Sequence, residues 1–244
     1  RACLIRARRL PSLGAEVMTS DTVIPAQATP ITAPATGYVQ FIDMPGISER
    51  LKSDQTRVYL FARPGDYLIQ GQIIGHAIGI KDGETAAIAR RLTIGPHRTF
   101  EQDASYGLLV LSETASRALS PGINDPGTAI AVICRQEKLL LEWAHAEPKK
   151  TKPLFPRIFL PDTARHAMIE NAFAGAARDG ADQIEVVLRL RDALERIADA
   201  PDTDLAEAAR EMSTRALDYA DVALPLESER AHLREASGGI SFLP

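Results

Sequence analysis

At 244 residues, with two cysteines, the chain is long enough to bury one large core or two smaller ones without a disulfide or metal staple. Its 45% hydrophobic and 25% charged residues suit a water-exposed globular protein, and no apolar run approaches the roughly 18 residues of a membrane span. A net charge of −4 argues against a nucleic-acid partner, and Cys3 and Cys134 offer neither a disulfide framework nor CxxC zinc spacing, so a reducing compartment fits.

The first ten residues, RACLIRARRL, carry Arg1, Arg6, Arg8 and Arg9 without an acid and read as cut from a longer polypeptide. A solvated helical start explains them; so does a juxtamembrane segment, because Lys and Arg accumulate just cytoplasmic of a membrane span. The Pro- and Thr-containing TSDTVIPAQATP that follows suits an extended linker, and residues 1–28 together form a basic juxtamembrane-like segment.

From about residue 29 the period changes. ITAPATGYVQFID alternates apolar and polar residues, TRVYLFA is β-branched and aromatic, and YLIQGQIIGHAIG continues with regular glycines; all three predict strands. PGISERLKSD predicts a short helix, and RPGDYLIQG a tight turn with Gly65 at positive φ beside Asp66. Residues 29–82 therefore form a small, glycine-punctuated β-rich module. Its turn pattern is similar to that of biotinyl and lipoyl hammerheads but lacks their Met-Lys-Met tip, so no cofactor is expected.

Residues 83–236 read as a helical domain of about six helices, with a flexible tail at 237–244, giving an α+β fold class. ETAAIARRL is a short helix, and Thr99 with Gln102 forms a capping-box pattern for a helix ending near Leu119. Later helices start near Asp162, cover ADQIEVVLRLRDALERIADA with a stripe from Ile184 to Ile197, and cover TDLAEAAREMSTRALDYADVA and LESERAHLREA. Four prolines at 146–161 exclude a helix and predict an irregular connection. Its Lys149, Lys150, Lys152 and Arg157 suit a solvated basic loop or contact with anionic lipid.

RALSPGINDPGTA, residues 117–129, encodes a corner between two helices. Pro121 ends the first helix near Leu119, Gly122 supplies the turn, and Pro126 fits the first position of the next helix with Asp125 as its cap over Thr128. The following helix is apolar on nearly all sides at its start, which predicts a central, buried helix holding the corner against the protein body. Capping leaves Arg117, Ser120 and Asn124 unexplained. Glu113 and Arg117 are spaced for an intrahelical ion pair, or for one wall of a polar pocket shared with Arg98, Thr99, Gln102 and Asp103, in which Arg98 or Arg117 binds an anionic small molecule.

The block GPHRTFEQDASYGLLVLSETASRALSPGINDPGTA, with TGYVQFID and RPGDYLIQG upstream, resembles a bacterial predicted-membrane-protein family of unknown function, domain of unknown function 2254. The resemblance runs from about residue 33 to 135 and departs after Gly107, where LLVLSETA replaces a charged segment. It implies transmembrane helices before this region, a bacterial inner-membrane location, and the chain's own transmembrane region as a partner; the Arg-rich start favours the cytoplasmic side for this domain. It brings no activity. The five histidines are scattered, and no GxSxG, HExxH or P-loop is present, so no catalytic residue and no metal ligand is nominated. A non-enzymatic ligand-binding, regulatory or assembly module is expected; a hydrolase or transferase with a site around 97–128, and a purely structural homo-oligomerising domain, are the alternatives.

Overall fold

The computed structural model describes residues 1–81, 83–147 and 152–235. Lys149 and Lys150 of the basic loop, and the tail expected at 237–244, lie outside the described residues. The chain is α+β and divides into two units, one containing both sheets and the other built of helices.

The first unit comprises Ala2–Tyr106 and Glu147–Thr163. It holds α1 (Ala2–Arg9), β1 (Ala15–Met18), β2 (Thr29–Thr32), β3 (Gly37–Ile42), α2 (Met44–Ser48), β4 (Arg57–Leu60), β5 (Tyr67–Leu68), β6 (Ile73–Ile78), α3 (Glu84–Ala89) and β7 (Leu92–Gly95). One more strand reaches it from much later in the chain, as described below. One sheet has five strands and the other has β3 between β5 and β7. Val58 and Leu60 alternate along β4, while Val39 and Ile42 of β3 stand either side of a register shift; with Ile74 of β6 they enter one core with Ile31, Ile47 and Ile88.

The proline-rich connection is not irregular throughout: Phe155–Pro161 form β8, which lies between β1 and β4 in the order β1-β8-β4-β6-β2. Both neighbours are parallel to it. A central strand normally rejects proline because the ring removes a ladder donor. Here the β1 register jumps from Phe155 to Phe159, passing over Pro156, while β4 pairs only at Ile158 and Phe159 and Pro161 is the last residue. The prolines thus occupy positions where the ladder is interrupted, and Ile158 and Leu160 are fully buried. The boundary of the sheet unit accordingly falls outside 29–82: it takes in α1, β1, α3, β7 and β8 as well.

The second unit contains Gly107–Ala146 and the chain from Ala164 onward, with Arg1. Its helices are α4 (Tyr106–Ala118), α5 (Pro126–His145), α6 (Arg165–Asp179), α7 (Ile184–Ala198), α8 (Thr203–Ala223) and α9 (Glu227–Glu235). α7 packs on both α5 and α8, and α6 packs on α8. Buried residues line α7 nearly all round, from Val186 to Ile197, so α7 occupies the centre that the sequence assigned to α5. α5 instead exposes Ala131, Cys134, Arg135 and Lys138 while burying Ala129, Ile133, Leu140 and Trp143. Ala and Cys make the start of α5 apolar without giving it much area to bury.

Candidate functional site

The residues singled out by sequence fall into two groups, one in each unit. In the sheet unit, Arg63–Asp66 form a turn in which the Asp66 amide donates to the Arg63 carbonyl at 3.1 Å. Pro64 and a φ of +93° at Gly65 give it type II character. The turn docks on β3 through the Gly65 amide to the Val39 carbonyl (2.8 Å) and the Val39 amide to the Asp66 carbonyl (2.9 Å). The Asp66 carboxylate accepts from the Arg63 amide at 2.8 Å and locks the loop.

Residues 97–103 fasten onto the same strand. β3 and β7 shift register between Val39 and Phe41, and at that point the Gln40 backbone carbonyl accepts from the Thr99 hydroxyl (3.3 Å) while the Gln40 side-chain Nε2 donates to the His97 carbonyl (2.7 Å). Gln102 acts as a one-residue strand: its Oε1 accepts from the Ile42 amide (2.8 Å) and its Nε2 donates to the Ile42 carbonyl (3.2 Å). Thr99 and Gln102 therefore do not form the expected capping box. α4 begins only at Tyr106, and Asp103 supplies its N-terminal contact, one carboxylate oxygen accepting from the Tyr106 amide at 3.0 Å.

Asp103 is the hub of this group. Its side chain is 4% exposed and pairs with Arg98 at 2.6 Å, while its other oxygen takes the amide and hydroxyl of Ser105, each at 3.2 Å. Arg98 lies 5.1 Å over the Tyr106 ring, which stacks on Phe100. A Cβ at Gly65 would stand 2.2 Å from an Asp103 oxygen and 3.0 Å from Arg98, so the ion pair covers the turn without space between them. Asp43, next to Ile42, follows the same rule: it caps α2 through the Gly46 amide and pairs with Arg91 at 3.0 Å.

In the helical unit, the corner at 117–128 is closed by its own backbone. The Ser120 carbonyl accepts from the Ile123 and Asn124 amides, both at 2.9 Å, and the Asp125 amide returns to the Ala118 carbonyl at 2.8 Å. Asn124 takes left-handed φ (+48°), and its Oδ1 accepts from Gln183 at 3.1 Å. Asp125 caps α5 through the Thr128 amide (3.0 Å) and hydroxyl (2.6 Å). These bonds to Thr128 hold the Asp125 carboxyl below its ordinary range. Ser120 Oγ donates to the Arg117 carbonyl at 2.7 Å. Pro121, Gly122 and Asn124 are exposed and Ile123 is 54% exposed, so this corner is a surface feature rather than one held against the body. Arg117 and Glu113 are exposed too, and among the described residues no ion pair joins them.

The pocket expected between the two groups is not assembled within either unit, since Arg98, Thr99, Gln102 and Asp103 belong to one and Arg117, Ser120, Asn124, Asp125 and Thr128 to the other. Two charged clusters escaped sequence reasoning. Glu137 on α5 bonds Arg189 and Arg196 of α7, and Asp192 takes both arginines from the other side; Glu137 and Asp192 side chains are 9% and 8% exposed. Arg189 also donates to Cys134 Sγ at 3.1 Å. The second cluster lines a cleft of about 130 Å³ between α6 and α8, where Arg215 pairs with Glu170 (2.7 Å) and His166 with Glu211 (2.9 Å). The Arg215 hydrogen bond holds the Glu170 carboxyl below its ordinary value. The free thiol of Cys3 is pushed up by burial, the opposite of an activated nucleophile. Among the described residues no group of three or more His, Cys, Asp or Glu side chains is placed to hold a metal ion.

These features define a two-unit α+β region whose marked residues, the exposed Arg117 apart, bond to backbone and to one another. Residues 6–196 match the family described as predicted membrane protein (DUF2254), and the chain belongs to that family. It is 36% identical over 116 residues to an uncharacterized protein of Mycobacterium bovis and, equally, to one of Mycobacterium tuberculosis H37Rv. Each match covers 45% of this chain and 22% of the relative, so the matched stretch is about a fifth of the relatives' length. No solved structure matches. Among the described residues, no helix is long and apolar enough to cross a membrane.

Proposed function

We propose that this chain is a non-enzymatic assembly module of a bacterial inner-membrane protein, lying on the cytoplasmic side and coupled to transmembrane helices elsewhere in the polypeptide. One observation carries this reading: Thr99, Gln102, Asp103, Ser120 and Asp125, polar side chains that could have formed a reactive or ligand-binding constellation, are engaged in holding backbone. Gln102 occupies both hydrogen-bonding groups of Ile42, and Asp103 joins the Arg63–Asp66 turn, Arg98 and the start of α4. A catalytic carboxylate needs a substrate within hydrogen-bond reach. Asp103, almost fully buried under its own partners, presents no such face.

The test compares the full-length parent protein, in detergent, with a version lacking the region equivalent to residues 29–235. An assembly role predicts that the membrane helices still insert while the particle mass by light scattering falls to that of a smaller assembly. An unchanged subunit number contradicts it. Equally contradictory is any catalytic turnover by the parent that Arg98→Lys or Asp103→Asn abolishes while leaving the unfolding midpoint in place.

A further inference from the structure

The chain's cations are unevenly placed. Four of its 28 Lys and Arg residues lie in the first nine positions with no acid before Glu16, leaving 24 basic against 32 acidic residues in the remainder. α1 carries three of these charges, Arg1 before it being paired with Glu142 at 2.7 Å, and the helix buries Leu4 on one side while leaving Arg6 and Arg9 exposed. Arg6 uses one of its donors on the Glu101 carbonyl, at 3.4 Å; a guanidinium has five.

The link from α1 to β1 fixes how that helix is presented. Ser12 and Leu13 adopt left-handed φ of +49° and +55°, and Gly14 follows at +83°. Non-glycine residues hold such angles only where the surroundings over-determine them, so this is a set corner rather than a loose joint. Packed on Gly14 are Leu10 and Leu154, whose Cδ1 atoms stand 3.2 and 3.3 Å from where a Cβ would be. Leu154 is nevertheless 61% exposed, and two residues before it Lys152 is exposed as well. The sheet unit therefore presents an apolar side chain beside a set corner, with Arg6 and Arg9 on the helix leading into that corner and Lys152 on the strand side.

We propose that this corner is a docking surface for an anionic lipid bilayer, with Arg6, Arg9 and Lys152 at the headgroup phosphates and Leu154 directed to the acyl boundary. Charge complementarity argues for that occupant: in a chain that is net acidic, the stretch before Glu16 holds arginines and no acid, and such a basic stretch is drawn to an anionic surface. An exposed leucine beside cations is also the composition of an interfacial contact. The proposal rests on the reading of the chain as part of a membrane protein, since that places a bilayer within reach.

The experiment is co-sedimentation of the 244-residue chain with vesicles of phosphatidylcholine alone or mixed with phosphatidylglycerol, at low and high salt. The wild type is expected to sediment with the mixed vesicles, to stay in solution with the neutral ones, and to be released by salt. Each cation removed should weaken partitioning on the order of fivefold, so Arg6→Ala with Arg9→Ala together lower it by ten-fold or more. Leu154→Ser should weaken it several-fold at every salt concentration. Far-ultraviolet circular dichroism on each variant separates lost binding from lost folding, and Arg9→Ala with Lys152→Ala serves as a second pair that leaves the Glu101 bond intact.

Equal binding to neutral and anionic vesicles, or none to either, overturns the proposal. Release by millimolar inorganic phosphate would assign the cations to a small-anion site, and equal binding to duplex DNA through the same arginines would assign them to polyanions in general; both also overturn it. Any of these failures leaves the assembly reading standing, because that reading is tested by the parent protein's mass in detergent.

Discussion

Gly65 is tied to its position by two independent constraints. Its φ of +93° lies in the region that glycine alone enters freely, and the Asp103 carboxylate occupies the space a side chain needs. Gly65→Ala should therefore destabilise the chain by about 2 kcal/mol or more, read as the midpoint of thermal unfolding. Asp103→Ala should cost more, about 3 kcal/mol, because it leaves Arg98 partly buried without its partner and removes the acceptor for Ser105 and Tyr106. At Asn124 the two properties of the residue separate. Asn124→Gly keeps the left-handed conformation and loses only the bond from Gln183, whereas Asn124→Ala loses both and should be less stable than the glycine variant by about 1 kcal/mol. Equal midpoints for the two variants would contradict the backbone argument.

At the scale of elements, pH separates the contributions of the α6–α8 ion pair. Glu170 has its pKa lowered in the folded state, so its contribution to stability is present above the ordinary carboxylate range and fades as pH falls through the lowered value. Glu170→Gln should thus lose stability at neutral pH, by about 0.5–1 kcal/mol for this partly exposed pair, and match the wild type in strong acid. A difference that persists in acid would mean that packing, not charge, holds Glu170. What could be read from sequence at this scale followed locality. The corner at 120–126 was legible because proline geometry and an Asp cap act within a few residues. Thr99 and Gln102 were misread because their partners, Gln40 and Ile42, lie some sixty positions away. β8 was hidden by its prolines, β1 lay within a stretch read as a basic start and linker, and β7 begins on Leu92 at the end of a stretch read as helix. The Glu137–Arg189–Asp192–Arg196 cluster has no local signal, since Glu137 lies more than fifty positions from its arginine partners and nothing nearby says that α5 and α7 face each other there.

For the whole molecule, the consequential feature is the path of the chain. The sheet unit is interrupted by α4 and α5 and completed by β8, which separates β1 from β4. Cutting after residue 146 should leave the five-stranded sheet without an inner strand and expose the core around Ile31, Val58 and Leu60. Residues 1–146 alone are expected to aggregate or to give no cooperative unfolding, and adding a peptide of residues 147–163 should restore a sheet signal. A soluble, cooperatively folding 1–146 fragment would contradict the topology. The same economy of structure underlies the functional reading, in which the family's marked residues fasten distant segments together. That claim is tested most directly by thermal unfolding of the intact chain with Gln102→Ala. The account predicts a fall of several degrees, because a buried amide and carbonyl of Ile42 lose their partners at about 1–3 kcal/mol and each kcal/mol lowers the midpoint by about 2–4 °C. A midpoint that stays in place or rises would show that Gln102 is kept for something other than the fold, and the segment from Arg98 to Asp103 would then be a site.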